Sequence, residues 1–154
     1  MPETVVCVGA IVKNESKVLL VRQAAGHSLA GQWTIPWGRL DQGESAAAAA
    51  VREVIEEGRV VARAEGLLGV QELPSRWQGW LALVYQCQHV SGEPAPDGRE
   101  TDAAMYFSED EMNALSEPIE PWSEWLVRRV FSGKVTLTRG GDPTNPFSSG
   151  VGFL

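Results

Sequence analysis

The chain has 154 residues, with 13 lysines and arginines against 20 aspartates and glutamates, and a formal net charge of -7. That length fits one domain able to bury roughly two-thirds of the surface its unfolded form exposes. The acidity argues against nonspecific binding to nucleic acid or to a membrane, since both rest on basic patches that meet phosphate.

No basic, apolar and small-residue leader stands at the start, and no run of 18 apolar residues occurs, so a soluble cytoplasmic protein is predicted. Cys7 and Cys87 lie in apolar runs without a Cys-x-x-Cys spacing and read as buried, reduced thiols.

Residues 4–12 and 17–22 are rich in Val, Ile and Leu, with Asn14, Glu15 and Ser16 between them as turn residues, which predicts a strand hairpin. Arg22 closes its second strand, where a guanidinium meets either a phosphate or plain solvent. Residues 23–32 hold Gly26 and Gly31 with little periodicity and read as a loop over a site; its His27 reads as an exposed loop histidine.

The stretch 38–60 organises the rest. Ser45 is a good N-cap, five alanines follow, and nothing breaks the run before Gly58, so a helix of about three turns is predicted. At roughly 100° per residue, Glu53, Glu56 and Glu57 gather on one face, with Val51, Val54 and Ile55 set opposite. Like charges at spacings of three and four repel by a few tenths of a kcal/mol per pair. A hard divalent cation such as Mg²⁺ or Mn²⁺, which takes oxygen ligands and keeps sites for water and phosphate, would offset that. Arg52 stands four residues before Glu56, within reach of a carboxylate.

Residues 60–73 are apolar and interrupted by Gly66 and Gly69, predicting strands over the helix with a bulge or a close backbone approach. A turn follows at 74–79, then a strand at 80–90. Trp77 beside Arg76 offers a flat indole on which a nucleobase can stack, whereas Trp80 reads as core. The Pro- and Gly-rich loop 91–99 leads into Glu100, Asp102 and a short strand at 103–107. Ser108 and Glu111 form a capping box for a helix to residue 116. Pro121 suits the first turn of a last helix, 121–131, whose Trp122, Trp125, Leu126 and Val130 form a stripe expected to pack on the sheet. Val135 and Leu137 alternate enough for a short strand.

The spacing Gly38, five residues, Glu44, seven residues, Arg52-Glu53-Val54-x-Glu56-Glu57 resembles the signature of the Nudix hydrolases, MutT-like enzymes, and Trp33-Thr34-Ile35-Pro36 resembles the approach to it. Two positions depart from the pattern. Arg59 stands where the family has its final Gly, with Gly58 one place early, and Trp37 stands inside the usual Pro-Gly-Gly. The resemblance implies an α+β protein with the Nudix fold, an α/β/α sandwich with a small mixed sheet and a loop-helix-loop box. The domain would span 1–139, with 140–154 a tail, disordered or docked through Phe147 and Phe153 on a partner subunit.

It further implies Mg²⁺- or Mn²⁺-dependent hydrolysis of a nucleoside diphosphate linked to another group X. Glu56 and Glu57 are then direct metal ligands, Glu53 a ligand or the general base, and Glu100 an additional ligand with Asp102 as the second choice. Gly38 lets the backbone approach the metal, and Glu44 and Arg52 brace the box. Arg22, Trp37, Arg39, Arg76 and Trp77 are the candidate substrate contacts. The expected partner is a small nucleotide derivative, and a homodimer stays open. Two other readings also stay open: a Nudix-fold module that binds without turnover, and an isopentenyl-diphosphate-isomerase-like enzyme drawing a thiol from Cys7 or Cys87.

Overall fold

The computed structural model describes residues 3–73 and 79–137. Its elements run β1 (Val5–Asn14), β2 (Lys17–Gln23), β3 (Trp33–Thr34), β4 (Trp37–Arg39), α1 (Ala46–Gly58), β5 (Val61–Glu72), β6 (Trp80–Ser91), β7 (Thr101–Phe107), α2 (Glu109–Ala114) and α3 (Pro121–Phe131). All seven strands belong to one mixed sheet in the order β3-β2-β1-β6-β5, with β4 joined to β1 and β7 to β2.

The hairpin between β1 and β2 is held only near its turn, where Lys13 faces Val18 and Asn14 faces Lys17. Away from the turn the strands splay. β1 instead lies parallel to β6 from Val5 opposite Trp80 to Lys13 opposite Gln88, and β4 and β3 pair with β1 and β2 along the edges the splay leaves open. Neither short strand is signalled by the sequence, because two or three residues are too few to show a period. Their effect is large: β4 carries the chain from the middle of the sheet directly into the loop before α1.

Alternation along the strands sorts the core into two layers. Val8, Ala10, Val12, Leu19, Tyr85 and Cys87 pack with Ala49, Ala50 and Val54 of α1. Ile11, Val18, Leu20 and Val84 pack with Met112 of α2 and Val127 and Val130 of α3. The result is the α+β, three-layer α/β/α arrangement. The α1 N-terminus is capped by Ser45, whose Oγ accepts from the Ala48 N–H at 3.1 Å. Near its other end Gly58 allows close packing, since a Cβ there would lie 3.1 Å from a Leu19 methyl.

Several expectations are corrected. The apolar side of α1 is not opposite its carboxylates: Glu53 and Glu57 are buried together with Val54, while Ile55 is 41% exposed. Five alanines let one side of the helix approach the sheet closely, so the buried arc is set by the small residues and takes in the glutamates. On α3, Trp125 is 53% exposed and Ser123 is buried with Val127 and Val130; the Ser123 hydroxyl accepts from the Ile35 N–H at 3.1 Å, so hydrogen bonding and not hydropathy selects that face.

Residues 135–137 form no strand, although Val135 packs on the core layer that holds Val84, Val127 and Val130. β7 begins at Thr101. The predicted bulges are present, as β5 breaks register with β6 between Ala64 and Gly66 and again between Leu67 and Gly69. Among the described residues no helix is long and apolar enough to cross a membrane.

Candidate active site

The site grows from the junction of β4 and α1. Gly38 sits directly beside Glu53, and a Cβ at Gly38 would fall inside the Glu53 carboxylate. Glycine is required here for proximity, not for an unusual backbone angle. One residue earlier, the Trp37 N–H donates to Glu57 Oε2 at 2.7 Å. Gln23 at the end of β2 also reaches the Glu57 carboxylate and donates to Thr34 Oγ1 at 2.9 Å.

Arg52 ties the cluster together. Its Nη2 and Nε donate to the two oxygens of Glu44 at 2.6 and 3.0 Å, a two-pronged ion pair, while Nη1 donates to Glu53 at 2.8 Å and Glu56 at 3.1 Å. Nη2 also donates to the Arg39 carbonyl at 3.0 Å, fastening the helix to β4. Glu44 in turn accepts from the Asp41 N–H at 2.8 Å, so the loop between β4 and α1 is fixed at both ends. Arginine's planar fork suits this multiple pairing in a way a lysine does not.

The loop after β6 closes the other side by capping α1. The Ala95 N–H donates to the Gly58 carbonyl at 3.0 Å, and the Thr101 hydroxyl donates to the Glu57 carbonyl at 2.8 Å, which satisfies carbonyls that a helix end leaves free. Within that loop Asp97 Oδ1 accepts from the N–H groups of Arg99, Glu100 and Thr101 at 2.8 to 2.9 Å. Glu100 is thereby delivered to a cleft of about 190 Å³ that it shares with Glu57, Gly38, Trp37, Arg39 and Gln23.

Burial pushes the Glu53 carboxyl up to about 7 despite its Arg52 partner, with Glu56 and Glu100 adding to the rise. Burial also raises Glu57, helped by the charges of Glu53 and Glu100 and opposed by the Trp37 N–H. Both shifts have the sign of carboxylates that lack sufficient positive charge nearby. Among the described residues no three acidic, His or Cys side chains make a finished cage around one point; Arg52 instead occupies the space between Glu44, Glu53 and Glu56. The donor set nevertheless fits a hard divalent cation. It supplies carboxylate oxygens only, with two of the carboxylates, Glu53 and Glu57, on buried side chains whose charged form a cation would favour.

Trp37 and Arg39 are both brought to this cleft, and Arg39 also lies over the Trp80 ring at 4.9 Å. Arg22 is not. It pairs with Asp102 at 2.6 Å and with Glu117 at 2.5 Å and lies against Trp33, on the face of β2 opposite Gln23. Strand alternation dictates this, and the same ion pair withdraws Asp102 from the cleft, leaving Glu100 as the loop acid in place. Arg76 and Trp77 lie outside the described residues.

Sequence reading missed two contributors and the placement of a third. Gln23 sits at a strand end, Asp97 acts only through backbone groups, and Cys7, buried as predicted, also lines the cleft. Its thiol is raised by burial, and that of Cys87 to about 12. The register of β1 against β4, Cys7 opposite Arg39, brings Cys7 there and is not legible without the pairing.

A second, mostly apolar cavity of about 260 Å³ adjoins the first through Leu29 and Trp37 and is closed by Leu73, Trp122 and Ser123. A groove of about 390 Å³ between β5 and α3 contains none of the carboxylates.

A three-layer fold in which one helix and one loop bring glutamates to a strand-borne glycine defines a Nudix-type protein. A family model described as the NUDIX domain matches residues 3–130, and the chain belongs to that family. It is 37% identical over 77 residues to the 8-oxo-dGDP phosphatase NUDT18 of Danio rerio, a match covering 50% of this chain and 24% of that protein. It is 32% identical over 112 residues to the ADP-ribose pyrophosphatase of Methanocaldococcus jannaschii, covering 72% and 66% of the two. The chain thus spans about a quarter of the first relative and 66% of the second. The crystal structure of a MutT NUDIX hydrolase from Burkholderia pseudomallei is similar with a TM-score of 0.71 at 26% identity, over 84% of this chain and 99% of that one.

Proposed function

We propose that this protein hydrolyses a diphosphate bond in a nucleoside diphosphate linked to a group X, giving a nucleoside monophosphate and phospho-X, with Mg²⁺ or Mn²⁺ bound by Glu56, Glu57 and Glu100. The observation that carries this is the burial of Glu53 against Gly38 and of Glu57 against the Trp37 N–H one residue earlier. Two carboxylates out of water at one short strand are costly unless a cation or phosphate chemistry uses them. Such an ion, when bound, screens phosphate oxygens and acidifies water. Glu53 is a further ligand or takes the proton of the attacking water. Arg52 and Glu44 hold the helix against β4 so that these carboxylates keep their places. Arg39 neutralises phosphate charge at the rim.

The nucleobase lies in the 260 Å³ cavity against the indoles of Trp37 and Trp122, an arrangement supported by the walls that this cavity shares with the carboxylate cleft. The named activities of the relatives, on 8-oxo-dGDP and ADP-ribose, support a nucleotide substrate. The free, buried thiols of Cys7 and Cys87 support a reducing compartment such as the cytoplasm.

The test is a panel of nucleoside diphosphate sugars, dinucleotides, ADP-ribose and nucleoside triphosphates, with isopentenyl diphosphate alongside, each with Mg²⁺ or Mn²⁺, products being identified by mass and, for isopentenyl diphosphate, by NMR. Metal-dependent release of a nucleoside monophosphate is expected. Tight binding without release would make the protein a sensing module, and double-bond migration in isopentenyl diphosphate without phosphate release would make it an isomerase.

A further inference from the structure

The left-handed turn that ends α1 is made by an arginine. Arg59 has φ 59° and ψ 22°, with its N–H donating to the Ile55 carbonyl at 3.1 Å. A side chain in this region costs about 1 kcal/mol relative to glycine. The packed loop holds it there, because Gly92 approaches so closely that a Cβ on it would lie 2.8 Å from the Arg59 carbonyl. A strained residue at the rim of a site is a reason to look for function in its side chain.

Arg59 lines an outer cleft of about 580 Å³ together with His27, Glu56, Asp97, Arg99 and Glu100. The cleft shares His27 and Glu100 with the carboxylate cleft, so the two are continuous. Among the described residues neither Arg59 nor Arg99 has an ion-pair partner, in contrast to Arg22, Arg52 and Arg128. Of the three acids in the cleft, Glu56 is paired with Arg52, Asp97 has turned Oδ1 to three backbone N–H groups, and Glu100 is the proposed metal ligand. Two arginines without an ion-pair partner thus line one cleft of a protein with net charge -7.

We propose that Arg59 and Arg99 form an anion subsite, beyond the proposed metal carboxylates, for a third phosphate of the substrate, so that the enzyme prefers nucleoside triphosphates to the matching diphosphates. This rests on the diphosphate-hydrolase reading for the position of the first two phosphates. Guanidiniums suit the purpose because they stay charged and bind phosphate oxygens in pairs. The proposed base cavity reaches the carboxylate cleft through Trp37 and Leu29, whereas the outer cleft reaches it through His27 and Glu100. A chain of three phosphates would therefore run from Trp37 past Glu57 and Glu100 towards Arg59.

The experiment compares wild type with Arg59→Gln, which keeps the strained Cβ and loses the charge, and with Arg59→Gly, which loses both. Calorimetry with Mg²⁺ measures binding of inorganic tripolyphosphate and pyrophosphate, a readout that needs no turnover; kinetics measures the ratio of kcat/KM for a nucleoside triphosphate to that for its diphosphate. In both variants the tripolyphosphate preference is expected to fall roughly tenfold, the worth of one charge-assisted hydrogen bond, and the kinetic ratio to fall with it. Only Arg59→Gly should gain thermal stability. Wild-type preference for tripolyphosphate in Arg59→Gln would overturn the subsite. An absence of hydrolysis across all substrates, with the binding preference still lost in the variants, would instead overturn the hydrolase reading and leave the subsite standing.

Discussion

The two faces of the sheet bury their helices by different chemistry. Beneath α3 the covered side chains are Val127 and Val130 with a hydrogen-bonded Ser123, while beneath α1 two glutamates go under along with Ala49, Ala50 and Val54. On the α3 face nothing charged is lost from water, so its burial is plain stabilisation. On the α1 face the same operation works against folding, because each carboxylate is displaced from water with only Arg52, a Trp37 N–H and Gln23 in return. The contrast locates function: one face holds the protein together and the other is held in place by it.

Replacing Glu57 by Gln sharpens this contrast most. The amide keeps the shape and can still accept from the Trp37 N–H, but it gives up the charge a cation needs. Turnover should fall by about a thousandfold, while unfolding at neutral pH becomes harder, not easier, as a buried charge is removed. Wild-type-like rates, or a loss of fold, would place the buried acids among ordinary structural groups.

The next largest effect is in the pH dependence of the metal-free protein. Glu53 titrates near 4.5 when unfolded and at about 7 when folded, and Glu57 is raised too, by burial first in both cases. The folded state therefore holds more protons than the unfolded state between these values, so stability falls as pH rises from 4.5 to 7. Glu53 alone contributes up to about 3 kcal/mol of that loss. Glu44 and Glu111, lowered chiefly by hydrogen bonds from Arg52 and Lys17, lose their stabilisation only as pH falls through the ordinary carboxylate range and so lie outside this window. Melting temperatures in a chelator should decline across pH 5 to 7, and saturating Mg²⁺ should offset the decline, since it binds the charged form. A chelated protein whose melting temperature climbs steadily over that range would mean that its buried acids have partners enough already.

On the other face the converse holds. Val127→Ala leaves a small void among Ile35, Val84 and Phe107, with an expected loss of about 2 kcal/mol. Its kcat/KM should stay within about twofold of wild type once the folded fraction is accounted for. A selective loss of activity, measured beside the denaturation midpoint, would show that the two faces are coupled.

How much of this the sequence shows depends on whether the cause is local. The α1 cap, its alanines, the capping box of α2 and the Gly38-to-Glu57 spacing all act within a few residues and are readable directly. The fate of Arg22 is not, because Asp102 and Glu117 reach it only through the pairing of β2 with β7 and the turn before α3. Cys7 reaches the cleft by register with β4, and Asp97 matters through the backbone of its own loop, an effect with no spacing rule to announce it. The orientation of α1 failed for a related reason. A hydrophobic arc computed from side-chain type gives alanine little weight, yet small size is what allowed Ala49 and Ala50 to meet the sheet.

Ile55 gives the smallest effect and the cleanest check on that orientation. If the apolar side of α1 faced the core by hydropathy, a lysine at 55 would bury a charge and cost several kcal/mol. With Ile55 41% exposed and the helix resting on Ala49, Ala50 and Val54, the lysine instead reaches water. It also has better helix propensity than isoleucine and stands in the last turn, where the helix dipole favours a positive charge. Ile55→Lys should thus change unfolding free energy by no more than about 0.5 kcal/mol and leave kcat/KM unaltered. Chemical denaturation of the two proteins side by side measures this, and a shift above about 2 kcal/mol would turn the helix over, taking Glu53 and Glu57 out of the protein interior.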